Sequence, residues 1–397
     1  MEASLLRRRA PAPSGVALAQ KGFRPFFLAA PLFAGAVIPL WIGVLHGHAL
    51  PAGYFDPVTW HGHEMVFGFA VAVIAGFLLT AVGNWTGRET AVGAPLLGLA
   101  GLWAAGRVAV MLAPWLPRGV PLAVDGAFLP ALAATLARPL VAAGNRRNFV
   151  MVAIVLGLGA ASVVVHLDAL GVLPGAGLRA NRVGVDLVMV VTLVIAGRVF
   201  PMFTRNASGV QSIRSVPALD VACLVGMALV TALDAAGVPQ AAWLAGVVGA
   251  VAAARTARWG ARHSLREPLL WVLHVGHAWI PIGLALRALA SVTPLVPASA
   301  STHALTVGAI GTLTIGMMAR VSLGHTGRVL AAPPAARTAF LLVTAAALVR
   351  VAAPVVAPAH TSAALVVAGA CWSAAFALFL AGYAKILVGP RVDGKPG

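Results

Sequence analysis

The stretch Thr59-Trp-His-Gly-His-Glu-Met-Val-Phe-Gly-Phe-Ala-Val-Ala-Val-Ile-Ala-Gly-Phe-Leu-Leu-Thr-Ala-Val82 decides the fold. After Glu64 no charged side chain occurs until Arg88. As a helix the stretch is about 36 Å long, enough to cross a hydrocarbon core of about 30 Å. The same pattern recurs along the whole chain. Of 397 residues, 60% are hydrophobic and only 10% charged, whereas soluble domains carry about 25% charged residues. Such a chain cannot cover its surface with polar groups, so lipid is the solvent that fits it. The expected fold is all-α: a polytopic integral membrane protein with a single transmembrane domain over residues 1–397.

Apolar runs punctuated by Arg, Pro, Asn or Gly predict about twelve spans. They are Phe23–Leu45, Thr59–Val82, Val92–Ala113, Val120–Val141, Asn148–Leu170, Arg182–Phe203, Pro217–Ala236, Gln240–Trp259, Pro268–Leu289, Ser301–Val321, Ala335–Val356 and Thr361–Val388. The last run is long enough to include a surface segment. Threading the basic residues through these spans puts 21 of the 28 Lys and Arg on one side and 5 on the other, with Arg107 and Arg198 inside spans. Cytoplasmic loops hold the excess of positive charge. Both termini are therefore expected in the cytoplasm, and residues 1–20 form a cytoplasmic tail. Arg7, Arg8 and Arg9 lead into Pro and Gly, not into a short apolar core with a cleavage site.

A weak internal repeat runs through the chain. Ile74-Ala-Gly76, Ile195-Ala-Gly197 and Ile315-Gly316 each lead to a closing arginine: Arg88, Arg205 and Arg328, spaced by 117 and 123 residues. The three copies end the second, sixth and tenth spans, a spacing that suggests three four-helix units. Chance similarity among Ala, Gly and Ile-rich helices is the competing explanation.

The net charge of +17 does not point to nucleic acid, because the basic residues are scattered singly between apolar runs. No P-loop, Rossmann glycine pattern or hydrolase elbow is present. The 11 Asp and Glu are too few to show a carboxylate relay across the membrane. Cys223 and Cys371 are the only cysteines and form no CxxC, so a haem could not be attached covalently through that motif.

Ionisable groups inside a bilayer are costly, which makes each one a functional hypothesis. His46, His48, His61, His63, His166, His303 and His360 fall near the outer face, His274 and His277 lie deeper in the ninth span, and His263 and His325 lie at the cytoplasmic face. Trp60-His-Gly-His-Glu-Met65 is the densest group of ligand types, and His with carboxylate suits transition metals and haem iron. His61 and Glu64 share a helical face, while His63 points elsewhere. One histidine as a ligand and the other in support is the expectation; an interfacial pair bonded to headgroups is the alternative. His303 opens the tenth span at matching depth, so it and a histidine of the second span can bind one haem axially.

His274 and His277 share a face, and Pro281 removes the hydrogen bond to the His277 carbonyl. The pair is a candidate copper or iron site, with Glu64 as a further candidate metal ligand; hydrogen bonding to neighbouring helices is the alternative. Arg107 and Arg287 lie in outer halves of their spans. Their guanidinium forks suit haem propionates, and pairing with Asp125, Asp186 or Asp168 is equally open.

The segments Lys21-Gly-Phe-Arg-Pro-Phe-Phe27, Trp60-His-Gly-His-Glu-Met65, Gly197-Arg-Val-Phe-Pro-Met-Phe-Thr-Arg-Asn206, His303-Ala-Leu-Thr-Val-Gly308 and Arg320-Val-Ser-Leu-Gly-His-Thr-Gly-Arg328 resemble the NnrS family. The resemblance implies a bacterial inner-membrane protein holding haem and copper, linked to nitric oxide, denitrification and tolerance of nitrosative stress. A more distant likeness is to the haem-copper oxidase catalytic subunit, whose low-spin haem is held by histidines of helices 2 and 10. His61 or His63, with His303, would fit those places. Here the sixth and seventh spans carry no histidine, so the oxidase copper site is missing.

The expectation is therefore a protein with haem b at His61, His63 and His303, and copper at His274 and His277. It would bind or turn over nitric oxide, or a similar diatomic ligand, at an intramembrane metal, with quinol or a redox partner as electron source. Whether it is an enzyme stays open. Transport of a metal ion, haem or small solute through a histidine-lined path, and non-catalytic nitric oxide sensing or assembly, are the alternatives.

Overall fold

The computed structural model describes residues 15–48 and 53–395. Arg7, Arg8 and Arg9 of the expected tail lie outside the described residues. Among those described, eleven helices are long and apolar enough to cross a membrane: α1 (Phe23–Leu45), α2 (Pro57–Thr86), α3 (Ala94–Met111), α4 (Val120–Ala142), α5 (Arg146–Ala169), α6 (Gly177–Ser208), α7 (Pro217–Ala235), α9 (Pro268–Ala290), α10 (Ala298–Gly324), α11 (Pro334–Val356) and α12 (Pro358–Val388). The twelfth, α8 (Ala241–Ala257), is shorter and apolar, about 26 Å long at 1.5 Å per residue. The chain is a multi-pass all-helical membrane protein.

Local signals set the helix ends. Asp56 caps α2 by accepting from the Val58 and Thr59 amides, both at 3.0 Å, with Pro57 in the first turn. Gly87 and Gly209 end α2 and α6 in the left-handed region, at φ 66° and 71°, where a Cβ would be strained. The sequence boundaries are short for α6, expected over Arg182–Phe203: the helix continues past both ends because no Pro or Gly stop lies there. The last span runs as unbroken α-helix from Thr361 to Val388, with no separate surface segment.

The helices form a ring around an inner set. α2 packs on α1, α3, α4, α5 and α6; α6 on α5, α7, α9 and α10; α10 on α9, α11, α12 and α1; contact of α1 with α12 closes the ring. In the apolar windows of α2, α6 and α10, 83%, 61% and 67% of residues are buried, against 22% for α1 and 28% for α7. α9, at 61%, is as buried as α6, and α5 reaches 56%, so burial alone does not mark every fourth helix. α2 and α10 share a further feature: each turns π-helical, over Glu64–Ala70 and Ala304–Gly311, directly after a histidine.

The first resembling segment has a structural task. The Arg24 guanidinium is buried and donates to the carbonyls of Ile386, Leu387 and Gly389 at 3.4, 2.9 and 2.6 Å, which satisfies the open end of α12. A Cβ on Gly22 would come within 2.3 Å of Leu79 Cβ, so only glycine allows α1 to start this close to α2.

Candidate functional site

The N-terminal end of α2 distributes its two histidines to different neighbours. The His61 ring lies on the indole of Trp41 of α1, with centroids 4.5 Å apart and planes 7° from parallel. It is also nearly parallel to His303 of α10, at 6.5 Å and 12°. His303 Nδ1 bonds the Ser299 carbonyl at 2.7 Å. A carbonyl only accepts, so Nδ1 carries the proton and Nε2 keeps its lone pair. His61 Nδ1 is buried without a hydrogen-bond partner. The Arg350 guanidinium of α11 acts electrostatically on both rings, and its Nη1 is also buried without a hydrogen-bond partner.

His63 turns into the group of helices α2–α5. There it meets Glu64, Arg107 of α3, Asp125 of α4, and Ser162 and His166 of α5, all of them buried. α4 is interrupted at Ala127, just past Asp125. His63 Nδ1 is 2.9 Å from Glu64 Oε1, and His63 Nε2 is 3.2 Å from Asp125 Oδ2. His166 Nε2 is 2.9 Å from the same Asp125 oxygen. Ser162 Oγ donates to it as well, at 3.2 Å. Arg107 bridges the carboxylates, donating to Glu64 Oε1 at 2.8 Å and to Asp125 Oδ1. From the loop before α2, the Tyr54 hydroxyl bonds His166 Nδ1 at 2.8 Å. The Phe55 ring covers both imidazoles, at 4.9 and 5.2 Å. Burial pushes the Tyr54 hydroxyl up to about 12.

Helices α6–α9 hold a related arrangement. Arg287 of α9 bonds Asp186 of α6 at 3.1 and 3.3 Å and Asp234 of α7. This triad opens into a cavity of ≈ 330 Å³ that Arg179 and Arg182 also line. Arg107 and Arg287 thus each stand between two carboxylates. Of the carboxylates the sequence offered, Asp125 lies on Arg107 together with Glu64, and Asp186 on Arg287 together with Asp234.

His274 and His277 of α9 lie around Phe200 of α6. Thr204 Oγ1 bonds His274 Nε2 at 2.9 Å, and Thr256 Oγ1 bonds His277 Nδ1 at 3.0 Å. The other nitrogens, His274 Nδ1 and His277 Nε2, are buried without hydrogen-bond partners. Glu64 is not brought to this pair; it is bonded to His63 and Arg107. His63 is not brought to His303; His61 is.

Asp125 and His166 complete the His63 cluster, and sequence reasoning did not join them to it. Depth alone placed His166 at the outer face, and Asp125 entered only as a partner for Arg107. Nothing in linear spacing shows that α4 and α5 turn these residues toward one point. Among the described residues, His63, Asp125 and His166 are the group of three ligand-type side chains whose donor atoms all lie within 4.8 Å of one another.

None of the curated proteins matches the chain. The family model described as NnrS protein matches residues 17–391, nearly its whole length. With the twelve helices and buried histidines in view, the chain belongs to the NnrS family, membrane proteins of the nitric oxide response.

Proposed function

We propose that this protein binds a b-type haem between His61 and His303 and acts on nitric oxide at an intramembrane metal. The parallel arrangement of these two imidazoles, on inner helices at one depth, carries the reading. His61 and His303, with ring centres 6.5 Å apart and planes 12° from parallel, would be the residues that hold the haem iron. The residues fit the group on chemistry as well. The Ser299 carbonyl sets the His303 tautomer so that Nε2 is free to ligate, and the Trp41 stack fixes the plane of His61 and keeps water from it. We assign Arg350, rather than Arg107 or Arg287, to the haem propionates, since the latter two are each taken by a pair of carboxylates. When bound, the haem supplies one-electron transfer.

Copper, in this reading, is held by His274 Nδ1 and His277 Nε2, the two buried atoms left without partners on α9. Imidazole suits copper, and the threonines on the other ring nitrogens fix the ring orientations. Two ligands leave positions open for a diatomic molecule.

The test is the visible spectrum of protein purified anaerobically from the bacterial inner membrane. His61→Ala and His303→Ala should each abolish or strongly shift the reduced alpha band. An unchanged band in both would overturn the haem assignment. Nitric oxide consumption with a quinol donor then separates turnover from binding alone, and a wild-type protein without any haem band would favour the transport reading.

A further inference from the structure

We propose that His63, Asp125 and His166 form a binding site for a divalent first-row metal ion of the non-haem iron class, separate from the His61–His303 pair. Two histidines and one carboxylate are the ligand set that holds iron(II) while leaving open positions.

The distances fit one coordination sphere. Donors about 2.1 Å from a metal and at right angles to each other are about 3 Å apart. Asp125 Oδ2 is 3.2 Å from His63 Nε2 and 2.9 Å from His166 Nε2. The imidazoles stand at 82° to each other with centroids 5.0 Å apart, and all three donor atoms lie within 4.8 Å of one another.

The outer partners match as well. In a metal-bound state each Nε2 gives its lone pair to the ion and each Nδ1 carries the proton. His63 Nδ1–H then donates to the Glu64 carboxylate, and His166 Nδ1–H to the Tyr54 oxygen, along contacts already formed at 2.9 and 2.8 Å. Supporting bonds of this kind fix tautomer and ring orientation at metal sites. His63 Nε2 also lies 3.4 Å from Ser162 Oγ, which donates to Asp125 Oδ2 at 3.2 Å, so the serine sits beside the same donor atoms.

Charge points the same way. Glu64 and Asp125 exceed Arg107 by one negative charge in a buried space. In helices α6–α9 the similar excess around Arg287 faces a cavity lined by Arg179 and Arg182. In helices α2–α5 it faces two imidazoles, the side chains that can recruit a cation. A divalent ion leaves one positive charge, which an anionic ligand such as hydroxide can take at an open position.

The experiment is an anaerobic titration of chelator-treated, detergent-purified protein with Co(II), read by its d–d absorption and by metal analysis, then repeated with Fe(II). Wild type should take up one more ion per chain than His166→Gln. Asp125→Asn should bind at least about tenfold more weakly. Tyr54→Phe keeps every ligand and removes only an outer partner, so it should fold and lose about 10–100-fold in affinity. Folding is read by size-exclusion profile and thermal melt, independently of any haem. The proposal is overturned if His166→Gln matches wild type in stoichiometry and d–d spectrum. It is equally overturned if Tyr54→Phe binds as wild type does, or if wild type takes up no ion that depends on these residues.

Discussion

His61 and His63 stand two residues apart on α2 and serve different neighbourhoods: His61 lies parallel to His303 at 6.5 Å, while His63 Nε2 is 3.2 Å from Asp125 Oδ2. A regular helix turns successive residues by about 100°, so two residues apart means nearly opposite faces. His63→Ala should therefore leave the reduced alpha band in place, in contrast to His61→Ala. Loss of the band in both variants would mean that the two histidines serve one centre.

Arg107 is the counter-ion of two buried carboxylates. Arg107→Met should destabilise the protein by about 3–5 kcal/mol, the range for removing one partner of a buried ion pair. The double variant Arg107→Met, Glu64→Gln should recover part of the loss, because it removes one of the stranded charges. Thermal unfolding in detergent measures both; absence of any recovery would show that Glu64 and Arg107 are not coupled.

On α9, His274→Ala and His277→Ala should each lower copper content while leaving the haem band mostly intact, since these residues lie away from His61 and His303. A purely structural pair would instead lower the melting temperature without changing metal content. Full copper occupancy in a folded His274→Ala, His277→Ala double variant would exclude the assignment.

Tyr54 lies outside the spans, and burial raises its hydroxyl from the ordinary 10.0 to about 12. A raised folded-state value means that its contribution to stability is fully present below pH 10 and is lost as pH rises from 10 through 12. The phenolate absorbance difference between wild type and Tyr54→Phe should have its midpoint near pH 12. A midpoint at the ordinary value would show that the loop before α2 does not enclose the ring.

From the charge asymmetry, 21 basic residues against 5, we propose that both termini face the cytoplasm. A reporter fused after Gly397 should be active there and silent in the periplasm. A periplasmic signal would reverse the orientation, and with it the side from which Tyr54 and Phe55 cover the His63 cluster.

Sequence alone determined the twelve helices, because apolar runs of membrane-crossing length have no other stable state in lipid. It also identified the residues that the bilayer penalises, among them His61, His63, His303, His274 and His277, and it separated His61 from His63 by helical geometry. Spacing could not say which of the two meets His303. That follows from the packing that sets His61 between Trp41 of α1 and His303 of α10, which no local residue pattern specified. The His63–Asp125–His166 cluster was decided by tertiary structure alone. Its members come from α2, α4 and α5, and only the packing of these helices brings their donor atoms within 4.8 Å. Hydropathy reports how deep a residue lies in the membrane; the rotation of each helix about its own axis, which decides what that residue touches, is set by side-chain packing between helices.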